Sequence, residues 1–298
     1  MFGPGAVSLG ITPTCWTNDD FPTIGADIPF EQCVSEIALA GFEGCSVGHK
    51  FPTDPRALSQ ALTLRGLRVS EPWASTYFTV RDMRERTLAG FREQLDFVQA
   101  VGGDQVVVAE LGHAVHQQAV ALAANRPVFD DAAWDALLTG LDELGRMAAD
   151  RGMFLCYHHH MGTGVQSRAD VDRLLAGTDP DLVRLLLDTG HLTLAGDDPL
   201  ALARDHARRI AHVHLKDVRS DVLEYFRRED PSFHDAVLAG IFTVPGDGMT
   251  DFGPVLRALA DAGYRGWLVV EAEQDPAKAH PLTYAKKARE HLRTLIGR

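Results

Sequence analysis

The chain carries little cysteine. There are four in 298 residues, Cys15, Cys33, Cys45 and Cys156, and none forms a C-x-x-C pair. That excludes a disulfide framework and points to a reducing compartment. Basic charge is also in short supply: 29 Lys and Arg stand against 41 Asp and Glu, a net charge of −12. Such a chain offers a poor surface for nucleic acid or anionic membranes, whose binding rests on cations. Long apolar runs are missing. The most apolar stretches, Val106–Ala109 and Leu185–Leu187, are far too short to span a bilayer. The opening MFGPGAVSLG lacks the pattern of a signal peptide. These absences lead us to expect a soluble cytoplasmic protein with no nucleic acid and no membrane as partner, and with homo-oligomerisation left open.

What is present is ordinary globular composition, 45% hydrophobic and 23% charged, long enough to bury a large core. Short β-branched runs alternate with amphipathic stretches from end to end. The pattern predicts strands at Ser8–Pro13, Glu43–Val47, Leu67–Ser70, Gln105–Ala109, Met153–Tyr157, Val183–Leu187, Ile210–His214 and Trp267–Val270. It predicts helices at Phe30–Ala40, Pro55–Leu64, Met83–Val101, Asp131–Arg151, Arg168–Ala176, Leu200–Ala207, Phe252–Ala262 and Pro281–Ile296. Leu88, Phe91, Leu95 and Val98 form one helical face, and Asp130 or Asp131 suits an N-cap. Glycine separates helix from strand at Gly41, Gly66, Gly102, Gly152 and Gly263, as a left-handed C-cap would require. Gly112–Pro127 reads as a long loop. Asp217–Thr250 reads as an insertion with some helix, ending in Pro245-Gly246-Asp247-Gly248.

Eight strand–helix units predict an α/β chain folded as a single (β/α)₈ TIM barrel, one domain over residues 1–298. Both irregular segments should then lie on or beside the C-terminal face. A doubly wound sheet is the main competitor. It usually carries a glycine-rich phosphate loop after its first strand, where this chain has Pro13-Thr14-Cys15-Trp16-Thr17.

Catalytic residues of such barrels stand at the C-terminal ends of strands. In chain order those ends carry Trp16-Thr17-Asn18-Asp19-Asp20; His49 and Lys50; Glu71 and Trp73; Glu110; and His158-His159-His160. Then come Asp188 and His191; His214, Lys216 and Asp217; and Glu271 and Glu273. Packing alone does not place acids and histidines at strand after strand, because cores avoid unpaired charge. Carboxylate oxygen and imidazole nitrogen hold divalent metals. Asp188, His214 and Glu271 end three consecutive strands and can converge, with His158 the natural fourth.

The other residues divide. Lys50 and Lys216 suit oxyanion stabilisation, or equally pairing with Asp217 or Glu71. Trp16 and Trp73 suit a pocket wall, or rim packing. Asn18 and Glu110 join them as substrate-contact candidates. Asp19 and Asp20 suit solvated loop acids. His159 has the opposite strand parity to His158 and His160 and should point away from the axis. Cys15 and Cys156 read as buried small residues.

Several strings together resemble one family. Trp16-Thr17-Asn18-Asp19-Asp20, Lys50-Phe51-Pro52 and Tyr157-His158-His159-His160-Met161-Gly162-Thr163 are similar to those of the inosose dehydratases of myo-inositol catabolism. So are Leu187-Asp188-Thr189-Gly190-His191, His212-Val213-His214-Leu215-Lys216-Asp217, Phe242-Thr243-Val244-Pro245-Gly246-Asp247-Gly248 and Val270-Glu271-Ala272-Glu273-Gln274-Asp275-Pro276. That family belongs to the xylose-isomerase-like barrels. The likeness spans nearly the whole chain. The D-x-x-H string is shared widely, whereas the triple histidine with Met-Gly-Thr and the Trp-Thr-Asn-Asp-Asp string are more specific.

The resemblance implies loss of water from 2-keto-myo-inositol (scyllo-inosose) to give a trihydroxycyclohexane-1,2-dione. It implies Mn²⁺ or Co²⁺, with glutathione associated. It implies metal ligands at His158, Asp188, His214 and Glu271. Three departures stand out. His158 replaces the usual glutamate of the superfamily, Glu71-Pro72-Trp73 lacks a glycine before the tryptophan, and His49 replaces an asparagine before Lys50.

The chemistry also stands without the family. A polyhydroxy ketone has an acidic C–H beside its carbonyl, a bound metal stabilises the enediolate, a base takes the proton, and an acid protonates the leaving hydroxyl. His160, His191, Lys216 and Glu273 are the candidates, with base and acid unassigned.

Three other readings compete. A ketose isomerase or epimerase on the same metal barrel would return the proton instead of expelling hydroxide, and the missing first carboxylate speaks against it. A DNA-repair endonuclease of the superfamily conflicts with the charge of −12. A sugar-binding protein without turnover conflicts with polar residues at nearly every strand end.

Overall fold

The computed structural model describes residues 1–297. In chain order they form β1 (Val7–Ile11), α1 (Phe30–Ala40), β2 (Gly44–Cys45), α2 (Pro55–Thr63), β3 (Arg68–Val69), β4 (Trp73–Thr76), α3 (Arg84–Ala100), β5 (Gln105–Glu110) and α4 (Asp131–Ala149). Next come β6 (Phe154–His158), α5 (Arg168–Gly177), β7 (Val183–Asp188), α6 (Thr189–Leu194), α7 (Pro199–His206) and β8 (Ile210–Leu215). The last part holds β9 (Asp217–Val218), α8 (Ser220–Glu229), α9 (Phe233–Ala239), β10 (Phe242–Thr243), α10 (Phe252–Asp261), β11 (Gly266–Val270) and α11 (Pro281–Ile296).

One curled parallel sheet runs in the order β3-β2-β1-β11-β8-β7-β6-β5-β4. Its two end segments, β3 and β4, are consecutive in the chain. The ring therefore closes through Ser70-Glu71-Pro72. Here the sequence reading needs correction. It placed one strand at Leu67–Ser70 and counted eight, whereas this barrel strand is broken into two segments. Proline has no N–H to give a ladder. Pro72 instead offers its carbonyl oxygen to the Val107 N–H at 3.0 Å, and the chain resumes as β4 beside β5. The break leaves Glu71 inside the barrel, 3% exposed.

Strand alternation fixes which residues face inward. On β8, Val213 and Leu215 join the large core between sheet and helices, whereas the alternate residues His212 and His214 both meet the buried Glu71. Likewise Leu155 and Tyr157 of β6, Leu185 and Leu187 of β7, and Leu268 and Val270 of β11 pack outward against helices. A smaller cluster of Val107, Cys156, Leu186 and Ala211 fills the barrel interior. Each fully buried Val or Leu contributes about 1.5–3 kcal/mol. The same parity that buries them turns His158, Asp188, His214 and Glu271 toward the axis.

Helix ends follow the local signals. Asp130 caps α4, its carboxylate accepting the Ala133 N–H at 2.8 Å. Gly41 ends α1 at φ 87°, a left-handed conformation that costs other residues energy. One helix was not anticipated: α6 begins directly at Asp188, whose Oδ1 accepts the His191 N–H at 2.8 Å.

The insertion after β8 contains α8, α9 and the antiparallel pair β9–β10. Its Val218, Phe226, Phe233 and Phe242 share an apolar cluster with Phe21, Leu122, Met161 and Leu194. Those partners lie on the connections after β1, β5, β6 and β7, so the cluster roofs the C-terminal face. Residues 112–127 are tied into it: Asp230 accepts the Ala123 and Ala124 N–H groups at 2.7 and 2.9 Å. The turn-rich end of the insertion hangs on Asp217. Its carboxylate accepts N–H groups of Val218 at 2.9, Thr250 at 2.8, Gly248 at 3.0 and Gly246 at 3.3 Å. Asp217→Ala would strand these donors and is expected to cost about 3 kcal/mol, read as a lower urea midpoint at unchanged slope.

Candidate metal centre and active site

A cavity of about 290 Å³ opens at the C-terminal face. His158, His214, Glu271, Glu273, Glu71, His160 and Trp73 line it from the strands and their ends, and Asn18, Asp19, Asp20, His116 and Gln117 line it from the connections.

His158, Asp188, His214 and Glu271 come together as donors within 4.8 Å of one another. Asp188 Oδ2 lies 3.4 Å from His158 Nε2 and 3.5 Å from His214 Nδ1. His214 Nδ1 lies 2.6 Å from Glu271 Oε2. Burial lowers the proton affinity of His158, which suits a neutral ligand. His214 is the opposite case. Burial opposes its proton, but Glu271, Asp188 and Glu71 outweigh burial and hold its pKa well above the ordinary value. His214 Nδ1 and Glu271 Oε2 are buried and lie against each other at 2.6 Å without a well-aligned hydrogen bond. Two imidazole nitrogens and two carboxylate oxygens converging from four strands make a donor set that a divalent cation would satisfy, so the residues present fit a metal ion.

Lys216 lies behind this cluster, fully buried. Its Nζ is 2.8 Å from Glu273 Oε2, 3.2 Å from Glu271 Oε2 and 3.5 Å from Asp188 Oδ2. His191 Nε2 is 2.8 Å from the same Nζ, and the Phe242 ring centroid is 4.6 Å away. Burial alone would strip the lysine of its proton, but the three carboxylates hold its pKa far above the ordinary range. Burial pushes Glu273 up to about 7, with Lys216 opposing and Glu271 adding to the rise.

Below His214 sits a network the sequence reading did not single out. Glu71 Oε2 is 3.0 Å from His212 Nε2, and Glu71 Oε1 is 3.4 Å from His214 Nε2. Ser70 Oγ donates to Glu71, and Gln105 Nε2 reaches His212 Nδ1 at 2.9 Å. Burial raises Glu71, but His212 and His214 outweigh it and bring it down to about 2. An anion on the far nitrogen of a metal-binding imidazole fixes its tautomer. Glu71→Gln is expected to weaken metal affinity 10- to 100-fold (about the usual second-sphere range), measured by competition titration with a chelator. The clue in the sequence was parity, since His212 shares a face with His214.

The remaining expected site residues separate. His160 lines the cavity; its Nδ1 lies 2.8 Å from the Met161 carbonyl oxygen, and its ring centroid is 3.9 Å from that of His191. It belongs to a second group with His191 and Glu273, so His158 and not His160 shares the first cluster. His191 and Lys216 do not line the cavity; they touch Glu273 from behind. Lys216 pairs with neither Asp217 nor Glu71. Asn18 lines the cavity while its Oδ1 accepts the Asp20 and Phe21 N–H groups at 2.8 and 2.9 Å. Trp73 stands at the mouth, 39% exposed, edge-on to His158.

Three substrate-contact expectations are corrected. Trp16 is fully buried and donates Nε1–H to Glu36 at 2.7 Å. The connection packs on it so closely that a Cβ at Gly25 would lie 1.8 Å from its carbonyl oxygen. Lys50 spends its ammonium on the carbonyl oxygens of Gly25, Ala26 and Ile28 at 2.8–2.9 Å. Glu110 is fully buried and accepts from Thr76, Phe78, Thr79 and Gly112. All three are loop anchors, a use of strand-end polar groups that sequence alone does not separate from substrate contact. Asp20, expected as a solvated acid, instead lines the cavity. His159 lies outside the cavity lining, stacked on His158, and its Nε2 accepts the Asp188 N–H at 3.2 Å. Cys15 and Cys156 are buried.

Similarity to known proteins bears on the family and the fold. The family description "Xylose isomerase-like TIM barrel" matches residues 25–295. The inosose dehydratase of Geobacillus thermodenitrificans (strain NG80-2) is 51% identical over 298 residues, covering 100% of both chains. That of Bacillus cereus (strain AH820) is 46% identical over 298 residues, again covering 100% of both. Among solved structures, the IolI protein, described with a bound zinc atom, superposes with a TM-score of 0.70 at 15% identity, covering 97% of this chain and 98% of that one. That last likeness speaks for the fold. With full-length identity of this order to curated relatives, the chain belongs to the inosose dehydratase family of the xylose isomerase-like TIM barrels.

Proposed function

We propose that this hydro-lyase removes water from 2-keto-myo-inositol, giving a trihydroxycyclohexane-1,2-dione, with a divalent metal in its barrel mouth. Besides family membership, one observation carries the reading. The cavity wall has five carboxylates, Asp19, Asp20, Glu71, Glu271 and Glu273, and neither lysine nor arginine among the described residues. A phosphorylated sugar would meet these carboxylates and, apart from the metal ion, no cationic side chain to bind its phosphate. A neutral polyhydroxy ketone would meet hydrogen-bond acceptors at many hydroxyls. The cavity volume lies at the small end of ligand pockets, which suits one six-membered ring.

His158, Asp188, His214 and Glu271 would hold the ion. When bound it supplies Lewis acidity toward the ketone oxygen, which makes the neighbouring C–H more acidic. Glu273 is the base. Lys216 engages its Oε2 at 2.8 Å, which leaves Oε1 to take the proton on the carbon beside the carbonyl. Lys216 and His191 act through Glu273 and are positioning residues. The bond from His160 Nδ1 to the Met161 carbonyl fixes its ring and leaves Nε2 for a substrate hydroxyl. Trp73 offers a ring face to the C–H surface of the cyclitol. Phe233 and Phe242 back the histidines and keep the local dielectric low.

We extend the proposal to Mn²⁺ or Co²⁺ as the ion, and to the described chain acting as one barrel domain in the cytoplasm. Glutathione would act as a free thiol, because all four cysteines are buried. The test is incubation of the metal-loaded protein with 2-keto-myo-inositol and with a ketose phosphate, followed by ultraviolet absorbance and mass. A conjugated product 18 Da lighter (about one water lost) from the cyclitol alone supports the reading. Epimerised substrate of unchanged mass would overturn it.

A further inference from the structure

One polar pair on the cavity wall has no part in the mechanism above. His116 comes from the connection between β5 and α4, a stretch without sequence periodicity. It is 4% exposed, and its Nε2 lies 3.4 Å from Asp20 Oδ1. Asp20 is held in turn: its N–H is given to Asn18 Oδ1 at 2.8 Å, and its Oδ1 accepts Gln117 Nε2–H at 2.8 Å. The ring centroid of His116 is 4.9 Å from that of His160 and 6.3 Å from that of Phe233. Its position is built in. Val115 gives its N–H to the Gly162 carbonyl at 2.8 Å. Gly162 has φ 75°, and a Cβ there would meet the His116 amide nitrogen at 3.0 Å. His116 Nδ1 is buried and has no hydrogen-bond partner.

We propose that His116, held by Asp20, is the general acid that protonates the departing hydroxyl. The proposal rests on the dehydratase reading and completes it. When Glu273 takes the α-proton, the C–H electron pair forms a carbon–carbon double bond and the C–O bond to the β-hydroxyl breaks, its pair going to oxygen. That oxygen needs one proton to leave as water, and a bare hydroxide is a poor leaving group. With Nε2 held 3.4 Å from Asp20 Oδ1, the unpartnered Nδ1 is the ring atom left to pass a proton to the departing hydroxyl once substrate fills the site. Solvent then returns a proton to His116 and takes one from Glu273, so the cycle balances. His160 is less suited. Its Nδ1 is committed to Met161, and no carboxylate lies within ion-pair distance of it among the described residues. Of the two imidazoles on the wall outside the metal cluster, His116 alone carries a counter-ion.

The experiment compares two rates in the metal-loaded protein and its His116→Asn and Asp20→Asn variants. One is elimination of water from 2-keto-myo-inositol. The other is exchange of its α-hydrogen with deuterated solvent, which needs the base but not the acid. His116→Asn is expected to slow elimination about 10²- to 10³-fold (within the usual range for general acid catalysis) while exchange falls less than about tenfold. Asp20→Asn should do the same with a smaller loss. Continued exchange shows that the variant is folded with its base and metal in place. Elimination within about threefold of the wild type would overturn the proposal, and so would exchange and elimination falling in parallel. A wild-type protein inert toward 2-keto-myo-inositol would bring down the dehydratase reading itself, and this proposal with it.

Discussion

Glu273→Gln is expected to lower kcat about a thousandfold (within the 10²–10⁴ range of general acid–base catalysis) with little change in KM. Glutamine keeps the shape and can still accept from the Lys216 ammonium, which now touches Glu273 at 2.8 Å. It cannot take a proton. Both elimination and α-hydrogen exchange should therefore disappear together, the signature that separates loss of the base from loss of the acid. Steady-state kinetics with exchange followed by proton NMR would measure both. Retention of more than about a tenth of kcat would move the base elsewhere, with His160 the next group on the wall.

The second large effect concerns metal. Glu271→Gln is expected to weaken affinity for Mn²⁺ or Co²⁺ by more than about a hundredfold, because losing a charged ligand should exceed the 10- to 100-fold cost of losing its outer-shell support. The pH dependence has a definite sign. Burial disfavours a proton on His214, yet Glu271, Asp188 and Glu71 overcome burial and raise its pKa well above the ordinary value. The carboxylates therefore favour a proton on His214 in the metal-free protein, and an incoming ion competes with that proton. Affinity should fall as pH falls, with a proton released for each ion bound. Glu271 Oε2 stands 2.6 Å from His214 Nδ1, so Glu271→Gln should also move this dependence to lower pH. Chelator competition at several pH values checks both points. Unchanged affinity in Glu271→Gln would remove that residue from the site.

Much of this site could be read in the sequence because strand parity is a strict rule. His158, Asp188, His214 and Glu271 follow apolar strands at the register that faces the axis, so four positions in one dimension already implied convergence in three. The barrel followed from alternation alone. The break at Pro72 did not, because periodicity shows where a strand lies and not where its partner changes. Lys50, Trp16 and Glu110 were misplaced for a related reason. A strand-end polar group that anchors its own loop and one that meets substrate look the same in sequence. Glu110 shows the anchoring use, with its carboxylate spent on Thr76, Phe78, Thr79 and Gly112. His116 was invisible for a different cause. Its connection has no period, and tertiary contacts of its neighbour Val115 to Gly162 and of its own ring to Asp20 and Phe233 fix its place.

The most direct test strips the protein of metal, verifies the removal by elemental analysis, and follows 2-keto-myo-inositol by ultraviolet absorbance before and after Mn²⁺ or Co²⁺ is restored. The account predicts no product from the stripped protein and recovery of turnover that saturates near one ion per chain. Full turnover by verified metal-free protein would contradict it.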